Sequence, residues 1–300
     1  ESGEIMMTKI VPHLWYDKEA KEAAEFYVRL FEESRFLDST ILEDTPSGDA
    51  EAVRFILAGQ PFEAISAGPV FKLNPSISLT VNCASAEEVD RLWSALSRGG
   101  TALMPLGEYP FSPHYGWIQD RFGLSWQLML TEGGVPTQKI IPSLLFSGDA
   151  CGKAEKALEF YEAVFPGSKI GLVSRYGDGE AEVPDAKINY AAFSLFGQNF
   201  TAMDHGYGGD FTFNEAFSLI LYCEDQKEID EYWQKLSHVP EAEACGWLKD
   251  RFGVSWQIVP REMTDMMADG SREQVQRVMA AFMPMKKLDI EALRRAFEGR

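Results

Sequence analysis

The sequence predicts an α+β protein made of four βαβββ modules, arranged as two tandem domains with a helical tail. First, the block "YGWIQDRFGLSWQ" at Tyr115–Gln127 returns as "CGWLKDRFGVSWQ" at Cys245–Gln257, with nine identities. Second, five more blocks return in the same order, so each copy spans about 125 residues, a period that fits a domain rather than a solenoid repeat. Third, each copy shows the succession of strand, amphipathic helix and three strands twice.

The first copy shows this succession most clearly. Strands are expected at His13–Tyr16, 35–43, 52–58, 62–67, Ile77–Val81, 101–106, 117–120 and 125–130. Helices are expected at Glu19–Phe31 and Ala86–Arg98, where apolar residues recur at helical spacing. Ser85, followed by Glu88, predicts a capping box at the start of the second helix.

The repeated block predicts a tight reversal followed by a strand with two different faces. Asp120 and Gly123 bracket the reversal, where glycine can adopt the left-handed conformation. In the next strand Trp126 and Gln127 point to opposite faces, because side chains alternate along a strand. The pattern predicts a curved sheet with helices packed on the aromatic face and a polar cup on the other.

The copies are expected at 8–131 and 139–262, with a helical tail at 264–300. The linker "TEGGVPTQ" between the copies is rich in residues that form turns. In the tail, Ser271 with Gln274 predicts a capping box and Asp289 predicts the start of a last helix.

Composition limits the partners. The formal net charge of −18 disfavours nucleic-acid phosphates and anionic lipid surfaces. It suits a cationic ligand, and it equally suits a merely well-solvated surface. The sequence shows no apolar run of membrane-spanning length, a secretory signal is not expected, and the four cysteines lack the spacing of a zinc site. A cytoplasmic location is expected.

The quoted blocks, the opening "IVPHLWYD" and the ending "MKKLDIEALRRAFEG" resemble the PhnB-like family, also labelled demethylubiquinone methyltransferase-like. That family belongs to the glyoxalase/bleomycin resistance/dioxygenase superfamily, also called the vicinal oxygen chelate superfamily. The resemblance covers the chain from Ile10 onward as two tandem copies. It implies paired βαβββ modules that form a half-barrel cup. Because single-copy relatives usually dimerise, it also implies a dimer fused into one chain, with further self-association left open.

The resemblance implies positions for a metal site on the first, fourth, fifth and eighth strands of a copy. In the first copy these positions hold His13, Glu63, Ser78 and Gln127. In the second copy they hold Ser143, Thr201, Ser218 and Gln257. A divalent ion usually needs three or more His or carboxylate ligands, so a metal-free site is predicted. The alternative is a metal held by His13, Glu63 and Gln127.

Two further clusters are candidates for a site. A long loop is expected at 104–117, with aromatic and His side chains that suit stacking on a ligand, sealing the rim of a sheet, or docking one copy on the other. With Trp15, its ligand-binding candidates are Tyr109, His114, Tyr115 and Trp117. In the second copy, Asp204 beside His205 suits either a general base or a solvated turn.

The predicted function is the binding of a small aromatic or cationic molecule in a cup between modules, without a metal or other cofactor. One alternative is a divalent-metal-dependent lyase, isomerase or dioxygenase that uses His13 and Glu63. Another is a pair of domains with a structural role in assembly. Methyltransferase activity is not expected, because the sequence lacks a glycine-rich turn between a strand and a helix. No catalytic residue is identified.

Overall fold

The computed structural model describes residues 8–134 and 136–300. The strands are β1 (Ile10–Tyr16), β2 (Arg35–Thr45), β3 (Gly48–Leu57), β4 (Gln60–Ser66), β5 (Ile77–Cys83), β6 (Thr101–Tyr109), β7 (Ser112–Gln119), β8 (Ser125–Leu130), β9 (Ile140–Phe146), β10 (Lys169–Arg175), β11 (Ile188–Leu195), β12 (Gln198–Asp204), β13 (Phe217–Cys223), β14 (Trp247–Lys249) and β15 (Ser255–Pro260). The helices are α1 (Ala20–Tyr27), α2 (Ala86–Leu96), α3 (Ala154–Val164), α4 (Gln226–Leu236), α5 (Arg261–Asp269), α6 (Arg272–Phe282) and α7 (Ile290–Glu298). The α+β class, the tandem domains and the helical tail are confirmed.

The strands form two sheets, and each sheet combines both copies. The order in the seven-stranded sheet is β14-β15-β13-β1-β4-β3-β2. The order in the eight-stranded sheet is β10-β11-β12-β9-β5-β8-β7-β6. The joints between copies are the antiparallel pairs β1 with β13 and β5 with β9. The first module of one copy therefore shares a sheet with the second module of the other copy.

Helices α1–α4 pack on one side of these sheets. Along β1, Leu14 is fully buried and belongs to the main core, as the alternation of side chains requires. The two modules of one copy meet through this helical layer, where Tyr27 of α1 lies 5.2 Å from Trp126 of β8 between ring centroids. We call the opposite side of each sheet its inner face. His13, the neighbour of Leu14, lies on the inner face of the seven-stranded sheet.

A repeated glutamine fastens each copy to the other. Gln60 follows the turn at Gly59, which has a φ of +74°, and its side chain bonds the main chain of Ile140 through Nε2 to O (2.8 Å) and N to Oε1 (2.9 Å). Gln198 does the same with Ile10, at 2.7 and 2.9 Å. The repeated sequences "AGQPF" and "FGQNF" thus place a glutamine of each copy against the first strand of the opposite copy. We call these two sets of hydrogen bonds the glutamine clamps.

The repeated DRFG block builds a buried carboxylate node in each copy. Asp120 accepts hydrogen bonds from Tyr27 Oη (2.6 Å), from Trp126 Nε1 (3.0 Å) and from two backbone N–H groups of its own turn. Asp250 accepts the same four, including Tyr161 Oη at 2.6 Å and Trp256 Nε1 at 3.0 Å. Each node ties a helix of one module to a turn of the other, so the most faithful repeat is explained by structure.

The helical tail packs on the inner face of the seven-stranded sheet. Leu42 of β2 contacts the apolar cluster of α5–α7. At the far edge of the same sheet, the N–H of Cys245 donates to the carbonyl of Met285 at 2.7 Å. The capping box of Ser271 with Gln274 is present, and Asp289 caps α7. Ser85 caps α2 by accepting from the Glu88 N–H, but the second half of the predicted box is not formed.

The aromatic loop expected at 104–117 is instead a hairpin. Strand β6 continues to Tyr109 and β7 begins at Ser112, so the loop prediction was wrong. Three register shifts interrupt the pairing of these strands, and β6 lies at the sheet edge, where Pro105 removes no ladder hydrogen bond from a neighbour. Within the part of the chain that the structure describes, no helix has the length and apolar character needed to cross a bilayer.

Replacing Asp250 by Asn should lower the free energy of unfolding by about 2–4 kcal/mol, because the amide nitrogen cannot accept the bonds that the carboxylate oxygen accepts. Urea denaturation measures this difference. The matching change Asp120→Asn should cost a similar amount. The control Asp178→Asn alters an exposed side chain and should stay within about 0.5 kcal/mol of the parent. Equal stability of Asp250→Asn and the control would contradict the role of the node.

Candidate functional site

A row of polar side chains crosses the inner face of the seven-stranded sheet. His13 of β1 stands in register with Glu63 of β4 on one side and with Ser218 of β13 on the other. Register pairs extend the row to both edges of the sheet. From β2 to β14 the row reads Asp38, Arg54, Glu63, His13, Ser218, Ser255 and Lys249.

His13 is a neutral imidazole at the centre of this row. Its side chain is 7% exposed, and burial lowers its pKa to about 3. The Nδ1 atom is buried and has no hydrogen-bond partner. A buried polar atom that lacks a partner costs about 1–3 kcal/mol, so this nitrogen favours a ligand that supplies one.

Glu63 and Arg54 are each engaged by a neighbour. The Tyr222 hydroxyl donates to the Glu63 carboxylate, and burial raises the pKa of Glu63. Arg54 donates to both oxygens of Asp38, with Nε 3.0 Å from Oδ1. The guanidinium is therefore committed to Asp38, although its charge also partly offsets the rise in the pKa of Glu63.

Aromatic rings stand beside His13 on the same face. Trp247 of β14 meets the His13 ring edge-to-face, with centroids 5.7 Å apart. Trp15 lies 6.1 Å from Trp247 and 5.0 Å from Phe71, and its Nε1 donates to the carbonyl of Gly68. Sequence reasoning included Trp15 but missed Trp247 and Tyr222. Their signal is the alternation along β13 and β14, which becomes informative only when these strands are known to share a sheet with β1.

The inner face of the eight-stranded sheet carries hydroxyl and amide groups instead. Ser143 Oγ lies 2.7 Å from both Thr201 Oγ1 and Thr80 Oγ1. Beside these three hydroxyl groups, Gln127 Nε2 donates to Ser78 Oγ at 2.8 Å. The Tyr115 hydroxyl donates to Gln127 Oε1 at 2.6 Å.

The structure divides the residues that the sequence grouped by copy. His13 and Glu63 share their face with Ser218 and Gln257 of the second copy, and Gln257 donates to Ser218 at 3.0 Å. The other first-copy positions, Ser78 and Gln127, share a face with Ser143 and Thr201. Gln127 is therefore in the other sheet from His13 and Glu63, and the three-residue metal set of the sequence does not come together.

The donor set of each face does not fit a divalent ion. In the described ranges 8–134 and 136–300, we found no group of three or more His, Cys, Asp or Glu side chains placed to hold a metal. The seven-stranded face offers His13 and Glu63, and Glu63 already accepts the Tyr222 hydroxyl. Two ligands fall short of the three or four that structural and catalytic sites use.

The aromatic residues of the β6–β7 hairpin divide between two faces. Tyr109 and Phe111 stack at 5.7 Å, and Phe111 lies 4.8 Å from Tyr115. Trp117 shares the inner face with Tyr115, two residues away along β7, and its Nε1 is buried without a partner. His114 points to the opposite face, where its Nε2 contacts Asp90 of α2 at 2.6 Å.

Asp204 is a buried carboxylate that precedes the exposed turn at 207–210, so the expectation of a solvated turn was wrong for this residue but fits the residues after it; the role of His205 as a general base stays a prediction. Asp204 ends β12, is fully buried and accepts hydrogen bonds from four backbone N–H groups. Two of these belong to Gly152 and Ala154, where Ala154 begins α3. In the first copy, Ser66 accepts the N–H of Ala20 at the start of α1, so both positions anchor a helix.

Two surface hollows lie away from both inner-face clusters. One, of about 370 Å³, is lined by residues at the ends of β1 and β4, including Lys18 and Ser66. The other, of about 220 Å³, lies where α4 meets α7 and includes Gln226 and Arg294. Neither includes His13 or Ser143, so a cup over those residues stays a prediction.

Comparison with known proteins shows which family model and which relatives this chain resembles. A family model described as 3-demethylubiquinone-9 3-methyltransferase matches residues 8–129 and 138–259. A PhnB protein from Bacillus cereus, described as a candidate 3-demethylubiquinone-9 3-methyltransferase, is 36% identical over 41% of this chain and 100% of its own, with a TM-score of 0.39. No curated protein matches the chain.

Longer solved structures resemble most of the chain in fold. A glyoxalase I variant from Zea mays is 13% identical, covers 89% of this chain and 98% of its own, and gives a TM-score of 0.54. A protein from Bacillus subtilis subsp. subtilis str. 168, described as a candidate dioxygenase, is 13% identical over 83% of this chain and 84% of its own, with a TM-score of 0.50. These likenesses concern the fold alone. Since the family model matches both copies over most of their length, the chain belongs to the family described as 3-demethylubiquinone-9 3-methyltransferase, in two tandem copies.

Proposed function

We propose that the chain binds a small aromatic molecule, without a metal ion, in a cup on the inner face of the seven-stranded sheet. The observation that carries this proposal is His13, a buried neutral imidazole whose Nδ1 has no hydrogen-bond partner. A ligand that bears an N–H, hydroxyl or ring nitrogen gives this atom its missing bond.

The surroundings of His13 favour a flat ring. Trp15 and Trp247 offer large apolar surfaces at the same place, and both are half-buried. Aromatic pairs at centroid distances of about 4.5–7 Å contribute about 0.5–1.5 kcal/mol beyond area burial. Binding sites commonly combine such surfaces with a few polar groups that fix orientation. A positive charge on the ring suits Glu63 when its carboxylate is ionised, and it suits the net charge of −18.

The helical tail supports the proposal by limiting solvent at this face. The Tyr222 hydroxyl donates to Glu63, and a hydrogen bond with the side chain of Thr264 in α5 partly offsets the rise that burial causes in the pKa of Tyr222. The tail therefore contacts Tyr222, which donates a hydrogen bond to Glu63 of the row. A site that is partly enclosed strengthens polar contacts, because fewer water molecules compete for them.

The metal-dependent alternative rests on the neighbouring positions of His13 and Glu63 in the sheet. Two observations weigh against it: Glu63 is engaged by Tyr222, and Gln127 lies in the other sheet. The methyltransferase description of the family and of its Bacillus cereus member stays outside the proposal, because the chain lacks a glycine-rich turn between a strand and a helix.

A thermal-unfolding screen with phenols, aromatic amines and quaternary aromatic cations tests the proposal. At least one class should stabilise the protein, by about 2.7 kcal/mol at a hundred times its Kd. Calorimetric titration of that compound should show binding weakened at least tenfold in His13→Ala and in Trp247→Leu. The control His238→Ala changes an exposed histidine and should keep the parent affinity.

Three outcomes of this experiment would overturn the proposal. The first is that no aromatic compound binds at millimolar concentration. The second is that a compound binds equally well to the parent and to both inner-face variants. The third is that the purified protein carries one divalent ion per chain that His13→Ala loses, which would establish the metal-dependent alternative.

Acid should destabilise the protein through His13. The pKa of His13 in the folded state is about 3, against an ordinary value of 6.5. At a pH between these values, His13 therefore binds a proton in the unfolded chain but not in the folded chain. Stability from this residue is complete above pH 6.5 and is lost as the pH falls toward 3; from pH 7 to pH 5 the loss is about 2 kcal/mol. Urea denaturation at both pH values should show this loss in the parent and in His238→Gln, and a loss smaller by that amount in His13→Gln. Identical pH dependence in all three would contradict the buried neutral state.

A further inference from the structure

The two inner faces differ in charge, although the same sequence repeat builds both. The row on the seven-stranded sheet contains four ionisable residues besides His13. They are Asp38, Arg54, Glu63 and Lys249. The corresponding positions of the eight-stranded sheet run through Ala192, Thr201, Ser143 and Ser78. None of these four carries an ionisable group, and neither do Thr80 and Gln127 beside them.

The hydroxyl groups of this face are already aligned by one another. Thr201 donates to Ser143, which also lies 2.7 Å from Thr80. The Tyr115 hydroxyl donates a hydrogen bond to Oε1 of Gln127, and Nε2 of Gln127 donates one to Oγ of Ser78. Aligned neutral groups lose little freedom when a ligand binds, and that lowers the entropic cost of binding.

Among the described residues, three buried polar atoms on this face have no hydrogen-bond partner within the protein. One is Nε1 of Trp117, which stands in register with Gln127. The others are Oγ of Ser125, two residues before Gln127 on β8, and Nδ2 of Asn82, two residues after Thr80 on β5. A ligand oxygen that accepts from Trp117 removes the cost of an unpaired buried donor. The ligand must therefore bring hydrogen-bonding groups of its own.

Aromatic rings stand on both sides of the hydroxyl groups. Tyr115 and Trp117 belong to β7 on one side. On the other side, Tyr190 of β11 is 43% exposed and shares the face of Ala192, which pairs with Thr201. Aromatic walls beside neutral polar groups suit a ring that has apolar C–H faces and polar edges.

We propose that the inner face of the eight-stranded sheet is a second binding site, independent of the first, for an uncharged polyhydroxylated ring such as a neutral pyranose. The ring edge exchanges hydrogen bonds with Thr201, Thr80 and Gln127, and one ring oxygen accepts from Trp117 Nε1. A charged ligand is disfavoured here, because it would lose hydration without meeting an opposite charge.

Saturation-transfer NMR with glucose, galactose, mannose and myo-inositol tests this site, with glucuronate and glucosamine as charged counterparts. At least one neutral probe should bind, and the charged counterparts should bind at least tenfold more weakly. Thr201→Val removes one hydroxyl at nearly constant shape, and Trp117→Phe removes the indole N–H. Each should weaken binding at least fivefold while thermal unfolding shows an intact fold.

His13→Ala serves as the matched control on the other sheet and should leave binding of the neutral probe unchanged. Absence of binding by every neutral probe at about 10 mM, ten times a Kd of about 1 mM, would overturn the proposal. So would equal binding by the charged probes, or binding that survives both Thr201→Val and Trp117→Phe. Because His13 and Thr201 lie in different sheets, failure here and failure of the aromatic site are separate results.

Discussion

The pairing of strands between copies, β1 with β13 and β5 with β9, is the constraint on which the rest of the structure depends. It decides which side chains become neighbours. His13 meets Ser218, more than two hundred positions along the chain, rather than Ser78 of its own copy. The glutamine clamps of Gln60 and Gln198 reinforce the same arrangement, since each holds both main-chain polar groups of the first residue in the opposite copy's first strand. Satisfying those groups inside the protein removes the cost of burying them unpaired.

Residues that the copies share and residues that they do not share have different roles. The shared aspartates Asp120 and Asp250 each accept four hydrogen bonds in the core, and they link modules in the same way. A buried carboxylate with so many donors is sensitive to any change, and this sensitivity explains why the surrounding block repeats so closely. The inner-face positions of the two copies do not share a structural role in this way. Glu63 and Thr201 occupy equivalent places, yet one belongs to a charged row and the other to a chain of hydroxyl groups.

The sequence was sufficient for most of the elements and for the class, because repetition and alternation are local signals. Trp126 on the helix side of β8 and Gln127 on the other side follow from alternation alone. It was insufficient for the partners of each strand, since the alternation within a strand does not tell which other strand lies beside it. Trp247 and Tyr222 were missed for that reason. The hairpin at 104–117 was mistaken for a loop because Pro105 and Gly107 interrupt the pattern of an edge strand. Asp204 resembled a turn residue, and only the burial of the helix start beside it shows why a carboxylate stands there.

Carrying both copies on one chain gives the molecule a freedom that a symmetric pair of identical subunits lacks. In such a pair, any substitution enters both symmetry-related surfaces at once. Here a substitution at Glu63 reaches only the sheet that contains β4, and one at Thr201 reaches only the sheet that contains β12. The two surfaces can therefore diverge in chemistry while the nodes and clamps that hold the fold remain alike.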